Sequence, residues 1–323
     1  MAAARHITGT PAFVRIVEVG PRDGLQNEPV VLSVAQRAAL IADLAQAGLA
    51  TIEAGSFVSP RWVPQMDGTA EVLQATRDLA GVSLPVLVPN LKGYALARAA
   101  GAGCIALFAA ATEGFARANL NGGREETFAR FAAVARAAVA EGVMVRGYVS
   151  CALHCPYEGW VAPEVTADLA YRLMELGCYE VSVCDTTGRG TPERAEAMAQ
   201  AAIAAISAPS VAVHFHDTGG RALDNTRACL DLGVRTVDSA VAGLGGCPYS
   251  PGAAGNLDTG RLVAMLDAEG FRHGVDAARL AATAVQVRTE LRAGRPIARA
   301  NPEKHRTQEG RVPTPARQEG VTP

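Results

Sequence analysis

The stretch VAVHFHDTGG, residues 211–220, decides how this chain is interpreted. Its apolar start and its closing glycines are typical of a short buried β-strand that ends in a tight turn. Alternate residues of a strand share a face, so His214 and His216 point the same way. Imidazole binds divalent metals, and this pair predicts half of a metal site at the strand's C-terminal end. Two histidines hydrogen-bonded inside a core are the alternative, which the pairing and the glycine turn disfavour.

Eight segments have the length and the β-branched, apolar composition of strands. They cover residues 14–20, 51–56, 84–90, 104–111, 144–151, 179–186, 211–217 and 236–243. Alanine-rich helical patterns cover residues 33–47, 124–140, 164–176, 192–206, 221–232, 258–269 and 276–292. This alternation predicts an α/β fold, the (β/α)₈ or TIM barrel, with an extra C-terminal helical segment. A doubly wound sheet is the runner-up, but it normally has a glycine-rich phosphate loop after the first strand.

Length, charge and cysteine usage restrict the class of protein. The chain has 323 residues and a formal net charge of -2, so no basic excess indicates nucleic-acid binding. No apolar stretch is long enough to span a bilayer, and the N-terminus lacks a signal-peptide core. Seven cysteines without a secreted-type spacing predict reduced thiols and a cytoplasmic location. Residues 1–292 are predicted to form one catalytic barrel domain with C-terminal capping helices, and residues 293–323 a disordered tail.

The active site of such a barrel lies at the C-terminal ends of its strands. The first strand ends in GPRDGLQNE, which contains Arg22, Asp23 and Gln26. Arg22 has a planar donor fork suited to a carboxylate or an oxyanion, although an ordinary solvated arginine is the alternative. Glu53 lies in an apolar strand, where an unpaired carboxylate is costly. We therefore expect it to pair with Arg22 or to act in catalysis. Asp185 ends the sixth strand.

Two oxygen ligands can complete the histidine pair. Asp23 is a hard oxygen ligand, and the side-chain oxygen of Asn256 is a second one. With His214 and His216 they form a mixed nitrogen and oxygen set without thiolate. Such a set favours an octahedral divalent cation, magnesium or manganese, over tetrahedral zinc. An Asx turn with Gly24 is an equally good interpretation of Asp23.

One cysteine stands apart from the others. Cys247 lies in the glycine-dense loop 243–255, and such a loop can carry a thiol to the substrate as a proton donor. A small buried residue is the alternative. Cys151, His154 and Cys155 have only a faint metal-like spacing, because no fourth ligand is evident.

Five motifs together resemble the 3-hydroxy-3-methylglutaryl-CoA (HMG-CoA) lyase family, whose members are metal-dependent barrel lyases. They are VEVGPRDGLQNEP, SFVSPRWVPQM, GYVSCALHCPYEG, VHFHDT and VAGLGGCPYSPGAAGN, and the similarity extends from about residue 14 to about residue 280. The resemblance implies metal ligands at Asp23, His214, His216 and Asn256. It further implies catalytic Arg22, supporting acids Glu53 and Asp185, a mobile-loop Cys247, and substrate contacts from Arg22 and Gln26.

The same resemblance implies a retro-Claisen cleavage of a 3-hydroxyacyl-CoA, as in leucine degradation. Metal binding lowers the pKa of the substrate's tertiary hydroxyl, a base removes the proton, and the carbon–carbon bond breaks. Arg22 stabilises the resulting enolate, and Cys247 or a neighbouring histidine such as His214 protonates its carbon. HMG-CoA would give acetoacetate and acetyl-CoA. A homo-oligomer, a dimer or a tetramer, is also expected.

Some residues depart from the family motifs, and these departures bear on which acyl group the substrate carries. They are His154, Arg189, Gly219, Arg221 and Ala254. None of them removes a ligand or Arg22, so lyase chemistry is expected to persist. The alternatives are a lyase for another 3-hydroxyacyl-CoA, such as citramalyl-CoA or a longer 3-hydroxyglutaryl-CoA analogue, and a Claisen-type acyltransferase. A non-catalytic scaffold ranks last.

Overall fold

The computed structural model describes residues 12–245 and 255–295. These residues form a barrel of parallel strands, as predicted. The strands are β1 (Arg15–Glu18), β2 (in two segments, Thr51–Ile52 and Gly55–Ser56), β3 (Val86–Leu87), β4 (Cys104–Ala110), β5 (Met144–Ser150), β6 (Glu180–Asp185), β7 (Val211–Phe215) and β8 (Thr236–Ser239). The sheet closes because β1 pairs with β8 on one side and with β2 on the other, while β2 continues to β3.

Helices alternate with these strands on the outside of the barrel. They are α1 (Val34–Gln46), α2 (Thr69–Thr76), α3 (Leu91–Ala99), α4 (Glu113–Leu120), α5 (Arg124–Ala140), α6 (Pro163–Glu175), α7 (Pro192–Ile206), α8 (Ala222–Asp231), α9 (Thr259–Ala268) and α10 (Ala277–Ala293). The sequence did not predict α2, α3 or α4, which are only two or three turns long. A small hairpin, His154–Cys155 with Gly159–Trp160, was also missed. Within the described ranges, no helix combines the length and the apolarity that crossing a membrane requires.

The ends of α1 show why the helix pattern was predictable. The Ser33 hydroxyl accepts a hydrogen bond from the backbone N–H of Gln36 (3.3 Å), and the Gln36 side chain accepts one from the N–H of Ser33 (3.0 Å). This is a capping box, whose sequence signature is a serine or threonine followed three residues later by glutamate or glutamine. After the helix, Gly48 has a φ of 95°, and a Cβ there would collide with the carbonyl oxygen of Gly274. Glycine is therefore required at this position for two reasons.

The apolar core lies between the sheet and the helices, whereas the inside of the barrel is polar. Arg146 on β5 is fully buried there. Its Nη2 donates to Asp238 Oδ1 on β8 (2.7 Å), and its Nε donates to Glu180 Oε1 on β6 (2.9 Å). Glu180 also pairs with Arg15. A buried guanidinium is tolerated only when it is paired, and these carboxylates on β6 and β8 supply the charge.

Glu18 fixes the segments that carry the mouth of the barrel. Its Oε1 accepts hydrogen bonds from the backbone N–H groups of Gly20 and Val241 (2.8 Å each), and its Oε2 accepts one from Thr259 Oγ1 (2.7 Å). These contacts tie the turn after β1 to the segment after β8 and to the start of α9. Burial raises the pKa of the Glu18 carboxyl from 4.5 to about 7.

Glu18→Gln is expected to remove a pH dependence of stability. The folded pKa of about 7 exceeds the unfolded value of 4.5, so the folded protein binds this proton more tightly. The contribution is therefore present below pH 4.5 and is lost as the pH rises through 7. Between pH 5 and 8, the wild type should lose roughly 2 to 3 kcal/mol relative to the variant.

Urea unfolding of both proteins at several pH values in that window measures this difference. Glu71→Gln, which changes an exposed carboxylate on α2, is the control and should follow the wild type. A gap between wild type and Glu18→Gln that stays constant with pH would contradict the assignment.

Candidate active site

Three potential metal ligands meet at the C-terminal mouth of the barrel. His214 lies on β7, His216 follows that strand directly, and Asp23 lies in a π-helical turn, Gly20–Gly24, after β1. One ligand atom from each of the three lies within 4.8 Å of the others. Asp23 Oδ2 is 3.9 Å from His214 Nε2 and 3.8 Å from His216 Nε2. The geometry thus brings together three of the four residues that the sequence proposes as ligands.

Asn256, the fourth, adjoins this cluster. A β-bridge joins its backbone to His216, and its Nδ2 donates to Asp23 Oδ2 (2.9 Å) and to the Leu244 carbonyl (3.0 Å). Its Oδ1 and the Nδ1 of His216 are buried and have no hydrogen-bond partner among the described residues. Buried polar atoms are normally satisfied. A carboxylate, two imidazoles and an unpaired amide oxygen in one buried place fit a divalent cation.

Arg22 lies beside the ligands and is held from two sides. Its Nε and Nη2 contact Glu53 Oε2 at 2.8 and 2.6 Å, and its Nη1 donates to Asp23 Oδ1 (2.7 Å). The predicted pairing of Arg22 with Glu53 is confirmed. Gln26 donates to the same Asp23 oxygen (3.0 Å), so its amide supports the ligand in this structure. Arg22 is only 6% exposed, which leaves its donors in a place that excludes most water.

Further contacts close these residues into a ring. His214 Nδ1 lies 3.3 Å from Asp238 Oδ2. Arg146 Nη1 donates hydrogen bonds to Asp238 Oδ2 (3.2 Å) and to the Tyr148 hydroxyl. That hydroxyl in turn donates to Glu53 Oε1 (2.8 Å). We call this set the polar ring. Its members are Asp23, His214, Asp238, Arg146, Tyr148, Glu53 and Arg22.

Sequence reasoning missed three members of the polar ring. Arg146 and Tyr148 lie two residues apart on β5, and Asp238 lies in the short strand TVDS. Each is a polar residue at an inward position of a buried strand. The argument that singled out Glu53, the cost of an unpaired buried charge, applies equally to Arg146 and Asp238.

The charges of the cluster favour metal binding. Burial raises the pKa of Asp23, but Arg22 and the two imidazoles outweigh it and lower that pKa to about 2. Burial and the neighbouring His214 lower the pKa of His216 to about 4. Burial alone would lower the pKa of His214, but its hydrogen bond to Asp238 and the charge of Asp23 raise it overall. At neutral pH Asp23 is therefore ionised and His216 neutral, the states in which both can bind a cation.

Asp185 is engaged by the turn that follows its own strand. Its Oδ2 accepts a hydrogen bond from the backbone N–H of Gly190 (2.7 Å), and its Oδ1 lies 3.4 Å from Thr187 Oγ1. Burial raises the pKa of the carboxyl. No side-chain hydrogen bond joins Asp185 to Asp23, His214 or His216 in the described part of the chain. The Asp185 carboxylate therefore connects the end of β6 to the turn that follows it.

The unusual residues at the mouth cluster around two turns. His154 Nδ1 is 3.3 Å from Thr187 Oγ1 in the turn after β6, which also carries the exposed Arg189. Gly219 donates its N–H to Gly188 O (3.1 Å), which joins this turn to the one after β7, where Arg221 is exposed. Ala254 and Cys247 lie outside the described residues.

Known proteins resemble the chain over nearly all of the barrel. A family model described as HMGL-like matches residues 13–287. The hydroxymethylglutaryl-CoA lyase of Pseudomonas mevalonii is 50% identical over 298 residues, which cover 90% of this chain and 99% of the relative. The HMG-CoA lyase structure from Brucella melitensis has a TM-score of 0.85 at 48% identity and covers 87% of this chain and 99% of its own.

A third relative was solved with ligands. The HMG-CoA lyase of A. baumannii, in complex with coenzyme A and 3-methylmalate, has a TM-score of 0.84 at 30% identity. The match covers 96% of this chain and 100% of that one.

His216→Ala is expected to weaken the binding of Mn²⁺ to the metal-free protein by at least about tenfold, or 1.4 kcal/mol, because it removes one of three clustered ligands. Isothermal titration calorimetry measures the affinity. His154→Ala is the matched control, since it deletes a buried imidazole at the same mouth that contacts Thr187 instead of the cluster. Equal losses in the two variants, or none in His216→Ala, would refute the site.

Proposed function

The chain belongs to the HMGL-like family, and we propose that it is a lyase that cleaves HMG-CoA to acetoacetate and acetyl-CoA. The observation that carries this is the cluster of Asp23, His214 and His216 beside the buried Arg22. It lies at the end of the barrel where TIM-barrel active sites form. The hydroxymethylglutaryl-CoA lyase of Pseudomonas mevalonii is identical to this chain at half of the aligned residues.

The cation we propose is Mg²⁺ or Mn²⁺, held by Asp23, His214, His216 and Asn256. Oxygen and imidazole donors without thiolate support this choice. When bound, such a cation lowers the pKa of a coordinated hydroxyl and neutralises a nearby carboxylate. Asp23 and His214 are positioned for this by contacts within the polar ring, and His216 by its backbone bridge to Asn256.

Arg22 is proposed to stabilise the enolate of acetyl-CoA. A guanidinium has five N–H groups, and three of those on Arg22 face Glu53 and Asp23. The remaining donors on its two Nη atoms have no partner among the described residues, so they are free to meet a substrate oxygen. Donors fixed in advance in a dry site stabilise developing negative charge most strongly.

Glu53 and Asp185 are proposed as supporting acids, because the first holds Arg22 and the second holds the turn after β6. Cys247 is proposed as the proton donor to the enolate carbon, with His214 as the alternative. The family motif supports this role for Cys247, and so does the position of Gly245, two residues before it in the sequence. Gly245 packs closely against Asn256 and Gly24, so the chain enters its glycine-rich loop beside the ligands.

Residues 1–292 are proposed as one catalytic domain, and residues 293–323 as a tail outside it. The packing of α10 against α1 and against the segment after β8 supports the inclusion of the C-terminal helix. A homo-oligomer and a cytoplasmic location stay predictions of the sequence.

The remaining candidate functions differ in the acyl group of the CoA thioester that the enzyme cleaves. The turns after β6 and β7 carry the unusual Arg189, Gly219 and Arg221, and the unusual His154 contacts the first of these turns. These residues favour a related 3-hydroxyacyl-CoA, such as citramalyl-CoA, as the second candidate. Incubation with a panel of acyl-CoA thioesters and identification of the products by mass spectrometry decides between them. Fastest cleavage of HMG-CoA supports the proposal. No cleavage of any 3-hydroxyacyl-CoA by the metal-loaded protein would overturn it.

Arg22→Lys is expected to fold normally, to bind Mn²⁺ normally and to lose at least about a hundredfold in kcat. Lysine keeps the charge but not the planar fork that holds Glu53, Asp23 and an enolate oxygen at once. Single-turnover cleavage and metal titration measure the two effects separately. Asp23→Asn is the comparison variant, because it should lose metal affinity first. Wild-type cleavage rates in Arg22→Lys would show that the enolate role is wrong.

Cys247→Ala is expected to lower kcat by roughly 10² to 10⁴, with little change in KM, because a proton donor acts chiefly in the transition state. Steady-state kinetics with HMG-CoA measures both constants. Cys229→Ala removes a buried thiol on α8 and serves as the control. An unchanged kcat in Cys247→Ala would leave His214 as the donor to test.

A further inference from the structure

We propose that Asp238 is a positioning residue for the metal centre: it orients the His214 imidazole so that Nε2 faces Asp23. Asp238 lies outside the ligand cluster and acts only through His214. The inference deepens the proposed function, on which its metal rests, and it assigns a role to a buried carboxylate that the cleavage chemistry does not use.

The two nitrogens of His214 have different neighbours. Nδ1 lies 3.3 Å from Asp238 Oδ2, while Nε2 points to Asp23 Oδ2 at 3.9 Å. A neutral imidazole donates from one nitrogen and accepts at the other. Asp238 is ion-paired with Arg146, so its carboxylate is ionised and can only accept. The ring proton therefore belongs on Nδ1, which leaves the Nε2 lone pair for a cation, as in carboxylate–histidine–metal arrangements.

Asp238 is itself immobile. Arg146 binds both of its oxygens, at 2.7 and 3.2 Å, and Ser182 Oγ donates to Oδ2 (2.9 Å). All three side chains are fully buried, on β8, β5 and β6. The β7–β8 register sets His214 directly beside Asp238. Because this carboxylate is held in place, its contact with His214 Nδ1 also restrains the orientation of the imidazole.

The second histidine has no such support. His216 Nδ1 is buried without a hydrogen-bond partner among the described residues, and its backbone instead forms the bridge to Asn256. The two ligands are therefore held by different means. Loss of the Asp238 carboxylate should disorient His214 while leaving the backbone position of His216 and Asn256 unchanged.

Asp238→Asn tests this against Glu180→Gln, the matched control. Both replace a buried carboxylate bonded to Arg146 by its isosteric amide, but Glu180 contacts Arg146 through Nε (2.9 Å) and does not touch His214. We expect the Kd for Mn²⁺, measured by calorimetry on the metal-free proteins, to rise by about 10- to 100-fold in Asp238→Asn. Glu180→Gln should bind Mn²⁺ as the wild type does. Unchanged affinity in folded Asp238→Asn, or equal losses in both, overturns the inference.

A second measurement needs no variant and covers the case in which Asp238→Asn does not fold. Nitrogen-15 NMR of the histidine-labelled wild type at pH 9 should show the neutral His214 ring protonated on Nδ1 and bare on Nε2. The opposite tautomer overturns the inference, and so does a wild type that binds no Mn²⁺. Neither readout uses substrate. A wild type that binds Mn²⁺ with the expected tautomer but cleaves no HMG-CoA refutes the proposed function and leaves the role of Asp238 intact.

Discussion

The fully buried guanidinium of Arg146 constrains the side chains that form the active-site mouth. Arg146 lies inside the barrel, where a charge is stable only if opposite charges and hydrogen-bond acceptors surround it. Glu180 meets that demand from the adjacent strand β6, Asp238 from the more distant strand β8, and Tyr148 from the same strand. Each of these partners must then occupy one position. The inward side chains of three strands are fixed before any active group is considered.

Two chains of hydrogen bonds, which we call arms, lead from Arg146 to the residues at the mouth of the barrel. One arm runs from Arg146 through Asp238 to His214, and the other runs through Tyr148 and Glu53 to Arg22. The arms meet again at Asp23. One of its oxygens faces Arg22 and the other faces the imidazoles. The proposed cation site and the Arg22 donors proposed to stabilise an enolate therefore belong to one connected structure.

The sequence predicts the parts of this molecule that depend on local patterns. β-branched runs located the barrel strands, and Ser33 with Gln36 located the start of α1. The spacing of His214 and His216 required only the alternation of a strand. The short α2 begins after Gly68 without a side-chain cap, so the sequence contains no capping pattern that predicts its start. Asp238 and Arg146 could be recognised as costly buried charges, but their partners are far away in sequence. Only the assembled barrel identifies them.

The separation between the polar ring and the mouth turns has an evolutionary consequence. Ring members contact one another so closely that their substitutions should be epistatic, since each single change leaves a partner buried and unpaired. The turns after β6 and β7 carry Arg189, Gly219 and Arg221, and His154 contacts the first of these turns. These four residues take no part in the ring. Mutations can accumulate there one at a time. A barrel of this kind can therefore evolve specificity for a new acyl group while the residues of its polar ring stay unchanged.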